Sequence, residues 1–189
     1  MTTPVIVPTL DFATGLRKIA GLDNYKIVVD TRREGFTKTV NRGLAKNMHH
    51  EFVCLLNDDA TPIAENWLDK LVEVFSWAKN VGFVGPSGAC RTAPQNTGVI
   101  GDKRLATPVS HLAFFCVVIR TEVLRQVGLL DEDYIHYGSD IDLQLRAKKL
   151  GFYPVWRPDV YVKHEVKEPI ADWARHDAFQ LRVKWGIGA

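Results

Sequence analysis

The run Glu51-Phe52-Val53-Cys54-Leu55-Leu56 stops abruptly at Asn57-Asp58-Asp59, and this junction constrains the fold more than any other segment. Continuous apolar residues lack the alternation of a strand with one wet face. The run therefore reads as a strand buried on both sides, at the centre of a mainly parallel sheet covered by helices. Sheets of that kind bind ligands beyond the carboxyl ends of their strands. Here that end carries an amide and two carboxylates.

The rest of the chain alternates in the same sense. Val5-Ile6-Val7 is a short strand stopped by Pro8. Asp11 to Ala20 reads as a helix ended by Gly21, and Tyr25 to Val29 as a strand closing on Asp30. Phe36 to Lys46 follows as a helix. Beyond the acidic junction, Thr61 as a cap and Pro62 at the first helical position predict a helix start. Ile63, Trp67, Leu71, Phe75 and Ala78 continue it at helical spacing. Val81 to Val84 is a strand. Pro86 to Pro108 is rich in glycine and proline, lacks periodicity, and reads mostly as a long loop of the kind that forms lids. His111 to Arg120 is predicted as a strand and Thr121 to Gln126 as a helix. Asp140 to Leu150 is a helix closed by Gly151. Phe152 to Trp156 and Val160 to Lys163 are extended, and Glu168 to Trp185 is an amphipathic helix. The pattern implies one α/β domain over residues 1–189.

Composition narrows the class. A chain of 189 residues can bury a core without disulfides or structural metals. The net charge of +2, with lysines and arginines spread throughout, argues against nucleic acid as a partner. Cys54 and Cys116 sit inside apolar runs, and the odd cysteine count without CxxC spacing argues against a disulfide framework or zinc cage. The N-terminus lacks a signal-peptide pattern, and no apolar run approaches the ~20 residues of a membrane span. Together with a reducing compartment for the thiols, these features predict a cytoplasmic protein, with peripheral membrane contact left open.

Three segments could carry chemistry. Asn57-Asp58-Asp59 could hold Mg2+ or Mn2+ through hard oxygen ligands and neutralise a departing diphosphate; the commonplace alternative is a turn rich in Asn and Asp. Tyr137-Gly138-Ser139-Asp140-Ile141-Asp142 opens a helix with two carboxylates. One of these could act as a general base, while Ser139 and Asp142 could equally form a capping box. His164, after Val160-Tyr161-Val162-Lys163, could ligate a transition metal or be a histidine at an exposed strand end.

The order of LLNDDATPIAENWLDKL, VGLLDEDYIHYGSDIDLQLRAKKLGF and PDVYVKHE resembles the family-2 glycosyltransferases of GT-A fold, of the rhamnosyltransferase-like kind, and Asn41-Arg42-Gly43 resembles that family's Asn-Arg-Gly. The resemblance spans about Val5 to Glu165 and suggests a minimal catalytic core. It implies a nucleotide-diphosphate sugar as donor, a divalent cation (Mn2+ or Mg2+), and a glycan, lipid-linked or small-molecule acceptor. Asp59 and His164 take the place of metal ligands, and Asp140 that of the catalytic base. Pro8, Thr9, Asp30, Asn41, Asn57 and Asp58 take the places that face the nucleotide. Two departures stand out: Ser139 replaces the family's Glu, and Asp30 to Phe36 lacks the usual turn, so that Arg32 or Arg33 could approach the phosphates.

The implied reaction is a single displacement with inversion, and Asp142 would serve as a helix cap or a supporting residue. A sugar nucleotidyltransferase would need a glycine-rich phosphate loop after the first strand, where this chain has Pro8-Thr9-Leu10-Asp11. A non-catalytic nucleotide- or glycan-binding domain of the same fold is the other alternative, separable by a donor-hydrolysis assay with Mn2+.

Overall fold

The computed structural model describes residues 2–19, 24–91, 93–97, 100 and 104–187, and the side chains of residues 16–19 are not described. Gly21, expected to end the first helix, lies outside the described residues.

Five strands run in order along the first half of the chain: β1 Val5–Thr9, β2 Tyr25–Val29, β3 Phe52–Leu56, β4 Ala60–Pro62 and β5 Val81–Ser87. They are followed by β6 Thr107–Pro108, β7 Cys116–Arg120 and β8 Tyr153–His164. The helices are α1 Phe12–Ile19, α2 Phe36–Asn47, α3 Trp67–Glu73, α4 Thr121–Val127, α5 Ser139–Lys148 and α6 Ala171–Trp185. The sheet order is β2-β1-β3-β7-β5-β8-β4, with β6 on β8. Pairing is parallel along β2-β1-β3 and at β5-β8. It is antiparallel where β7 inserts between β3 and β5, and where β4 and β6 meet β8.

The continuous apolar strand is buried on both faces. Cys54 and Leu56 join Val5, Val7, Trp67, Leu71 and Phe75 in one cluster. Val53 and Leu55 join Ile6, Val40, Leu44, Leu124 and Leu143 on the other side. Helix α2 lies so close to β1 that a Cβ on Gly43 would stand 2.5 Å from Ile6 Cγ2. The three cysteines are buried and free. Among the described residues no helix is long and apolar enough to cross a membrane.

Four local expectations change. Thr61 and Pro62 do not start a helix: Ala60–Pro62 pairs antiparallel with the end of β8, Ala60 opposite His164, and α3 begins only at Trp67. The predicted strand from His111 is regular only from Cys116, because side chains take the backbone groups before it. Gln144 brackets Leu112 N–H and C=O at 2.8 Å each, and Ala113 N–H donates to Gln95 at 2.7 Å. The two extended pieces near the C-terminus are one strand, β8, with a register shift where Ser87 hydroxyl donates to Pro158 carbonyl. Finally, the described part of Pro86 to Asn96 is packed rather than lid-like: Gln95 is fully buried, and Cys90 and Ala93 join the core.

This topology brings the carboxyl ends of β1, β2, β3, β5 and β8, and the start of β7, to one edge.

Candidate active site

At that edge Thr9 and Asn57-Asp58-Asp59 are neighbours. The Thr9 hydroxyl donates to Asp58 Oδ2 at 2.7 Å, and Asp30 N–H donates to the Thr9 carbonyl at 2.8 Å. Pro8, Thr9, Asp30 and Asp58 therefore lie on adjacent strand ends, as the sequence suggested. Asp30 is 4% exposed and caps the turn that follows it, accepting from Glu34 N–H at 3.0 Å and Gly35 N–H at 2.9 Å. Burial opposes its charge, but those bonds and Arg42 outweigh burial and hold its carboxyl below the usual range.

Asp59 and His164 are brought together by the β4–β8 pairing. His164 Nε2 stands 3.4 Å from Asp59 Oδ1, and Lys167 Nζ stands 2.9 Å from Oδ2. His164 Nδ1 pairs with the Ala89 carbonyl at 2.6 Å, which a neutral ring satisfies by carrying its proton there. The lone pair of Nε2 is then left on the Asp59 side. Phe115 stacks on the imidazole at 4.8 Å and fixes its plane. Burial raises the Asp59 pKa, but His164 and Lys167 outweigh it and bring it down to about 2. Burial likewise works against the His164 charge, and Asp59 and the Ala89 carbonyl outweigh it, so its pKa lies above the ordinary value.

A divalent cation fits this pair. Asn57 Oδ1 and Asp59 Oδ1 are buried acceptors without a hydrogen-bond partner, which a hard cation or its water would satisfy. Among the described residues no group of three or more His, Cys, Asp or Glu side chains clusters as a metal cage. The protein thus offers part of a coordination shell, and a ligand would have to supply the rest.

Asp140 opens α5, half-buried. Its Oδ1 accepts from Ile141 N–H at 2.8 Å and its Oδ2 from Phe114 N–H at 3.4 Å. Burial pushes its carboxyl above the ordinary value against those two bonds. The 113–115 segment joins the two halves of the site: Phe114 N–H touches Asp140, the Phe115 ring lies on His164, and the Phe115 carbonyl accepts from Asn57 N–H at 2.8 Å.

The capping box expected from Ser139 and Asp142 does not form. Gly138 holds the cap position at φ 79°, with no side-chain cap bond. A side chain there is strained by the positive φ, and its Cβ would stand 2.6 Å from a Leu181 methyl that would have to shift. Ser139 is 1% exposed inside the first turn. Asp142 is fully buried and binds Arg146 Nε, Lys184 Nζ and Trp185 Nε1, each at 2.8 Å, joining α5 to α6. Asn41 is also engaged in the interior: its amide accepts from Leu130 N–H at 3.1 Å and donates to Leu130 carbonyl and Glu132 at 2.9 and 3.0 Å. That use orders the approach to α5 and engages both amide atoms within the fold. Arg32 and Arg33 are exposed on the turn after β2.

Sequence reading missed Asp177. From α6 its carboxylate, fully buried, accepts from the N–H groups of Ile135, His136 and Tyr137 at 2.8, 2.8 and 2.7 Å. The available signal was an acid in the stripe Trp173, Asp177, Leu181, Trp185, which is otherwise apolar at four-residue spacing. Two shallow concavities lie around Glu51 and Phe52, at the opposite end of β3 from these groups.

No family model matches the chain. It is 30% identical over 172 residues to the uncharacterized protein y4gI of Sinorhizobium fredii, covering 78% of this chain and 19% of that protein. It is 28% identical over 153 residues to the pre-mycofactocin glycosyltransferase of Mycobacterium tuberculosis, covering 74% and 32%. It is 34% identical over 74 residues to the N-acetylglucosaminyl-diphospho-decaprenol L-rhamnosyltransferase of that organism, covering 36% and 24%. The chain thus spans a third or less of the length of these relatives. Among solved structures, the mannosyltransferase PcManGT from Pyrobaculum calidifontis with GDP-Man and Mn2+ superposes with a TM-score of 0.66 at 17% identity, over 99% of this chain and 65% of that one. GalNAc-T7 with UDP, GalNAc and Mn2+ superposes with a TM-score of 0.65 at 14% identity, over 96% and 51%. The fold is that of the GT-A glycosyltransferases. The pre-mycofactocin glycosyltransferase and the rhamnosyltransferase, to which parts of the chain are similar in sequence, are glycosyltransferases as well.

Proposed function

We propose that this chain transfers a hexosyl or deoxyhexosyl unit, with inversion, from a nucleotide-diphosphate sugar to an acceptor hydroxyl, and that it requires Mn2+ or Mg2+. One observation carries the reading: the 113–115 segment couples the Asp59–His164 pair to Asp140 at the ligand-binding edge of the sheet. The glycosyltransferases among the relatives support sugar transfer, and the Mn2+ and nucleotides in the neighbouring structures support the donor class.

Asp59 and His164 would hold the cation, with Asn57 nearby. When bound, it supplies charge neutralisation at the departing diphosphate. Pro8, Thr9, Asp30 and Asp58 seat the nucleotide; Asn41 acts by ordering the segment before α5. Asp140 takes the proton of the acceptor hydroxyl as that oxygen attacks the anomeric carbon. The bond from that carbon to the diphosphate breaks, and the diphosphate leaves with the electron pair. Burial makes Asp140 a stronger base than an exposed carboxylate, and its two amide hydrogen bonds keep it in place. With Ser139 buried, no second carboxylate stands at the adjacent position, so positioning supplies much of the acceleration. The buried free thiols agree with a reducing, cytoplasmic setting. The acceptor is a glycan, lipid-linked or small-molecule hydroxyl.

A thermal-shift screen of nucleoside diphosphates with and without Mn2+ tests the reading, since a ligand of the native state raises the melting temperature. A shift should appear only with Mn2+ and vanish in Asp59→Ala. Shifts that ignore Mn2+, or survive Asp59→Ala, would remove the metal assignment.

A further inference from the structure

After β8 the chain runs exposed from Glu165 to Ile170 before α6 begins. From this strap Lys167, its side chain 67% exposed, returns its ammonium to Asp59 Oδ2 at 2.9 Å. The backbone of the strap is held independently of that contact. Arg91 Nη2 donates to the Lys167 carbonyl at 3.2 Å and pairs with Glu168 at 3.0 Å. The lysine stem can therefore swing while its Cα stays in place.

We propose that Lys167 is a resident counter-cation of the donor site, which yields Asp59 to the divalent ion and then binds the diphosphate of the donor. This rests on the metal assignment above. Asp59 is 18% exposed and adjoins Asp58, so without an ion its charge requires a neighbouring cation. An ammonium on Oδ2 and a divalent ion on Oδ1 of one carboxylate repel each other, so binding of the ion favours release of Lys167. Because the lysine is exposed, its pairing is weak enough to be displaced. A donor diphosphate would bring negative charge beside the same carboxylate, within reach of a flexible point charge that suits phosphate oxygens.

Lys167→Met keeps the stem and removes the charge. Titration of Mn2+ alone, followed by the electron paramagnetic resonance signal of the free ion, should show affinity tighter by roughly 2- to 5-fold, the strength of an exposed ion pair. Calorimetric titration of inorganic pyrophosphate at saturating Mn2+ should show binding weaker by about tenfold or more, the loss of one charge-assisted contact. Lys167→Arg should stay near wild type in both. Unchanged pyrophosphate affinity, or unchanged or weaker Mn2+ affinity, in Lys167→Met overturns the proposal. The Asp59→Ala control separates the two ideas. If Mn2+ binding survives it, the metal assignment falls and this inference with it; if Asp59→Ala abolishes binding but Lys167→Met changes nothing, only the inference falls.

Discussion

Replacing Asp177 by alanine should destabilise the protein and loosen Asp140, the proposed base, together. The Asp177 carboxylate is fully buried and accepts from three consecutive backbone N–H groups, those of Ile135, His136 and Tyr137. Each hydrogen bond to a charged group contributes about 1.5–3 kcal/mol, and a donor left unpaired costs about 1–3 kcal/mol. The three bonds belong to one turn and are not additive, and water entering the vacated volume would satisfy part of the turn. A loss of about 3–5 kcal/mol follows, the scale of removing one partner from a buried charged contact. For a chain of this size that lowers the melting temperature by roughly 6–20 °C. Asp177→Asn keeps one acceptor but sets an amide NH2 against N–H groups, so it should fall between alanine and wild type. Chemical denaturation measures the stability, with an unchanged slope showing that compactness is retained. Because the clamped turn ends two residues before Ser139 and three before Asp140, transfer should drop more than Mn2+-dependent diphosphate binding. A loss below ~1 kcal/mol in Asp177→Ala would refute the clamp. A donor-binding loss equal to the transfer loss would refute its link to Asp140.

Asp140→Asn keeps shape but cannot accept a proton, so single-turnover transfer should fall by ~10²-fold or more with donor affinity retained; wild-type transfer would place the base elsewhere. Asp142→Asn, which disturbs a buried contact with Arg146 and Lys184, should instead show up in unfolding, with a cost of several kcal/mol rather than the up to ~1 kcal/mol expected of a charge at a helix start. The Asp30 pKa is depressed in the fold, so its stabilisation is complete above the unfolded value of about 4 and is lost as pH falls through the folded one. Asp30→Asn should therefore flatten the acid limb of a stability-versus-pH curve; an unaltered limb would show that its turn contributes nothing there.

Periodicity and composition alone determined the layered architecture and where chemistry could sit. An apolar run such as Val53 to Leu56 has no stable place except between two covered faces, and a strand buried that way must expose its polar end at the ligand edge. Asp59, His164 and Asp140 stood out as candidates at strand or helix termini, where each also had a commonplace reading as a turn, cap or exposed residue, and the family resemblance, not the local pattern, suggested their roles. Helical spacing did not reveal that Ala60–Pro62 would be drawn onto β8, because strand pairing is a contact across 104 positions, Ala60 to His164, that outweighs a local preference for a cap. Likewise Gln95 and Gln144 carry no local signature of their roles, and the acid in the apolar stripe of α6 marks Asp177 without naming its partners. Each satisfies backbone groups far away in the chain, and which backbone groups lack partners is settled only once the elements have packed. Asp142 shows the same limit in a single residue: its spacing fits a helix cap, but α6 brings Lys184 and Trp185 to its carboxylate, and burial with those partners makes it a joint between two helices.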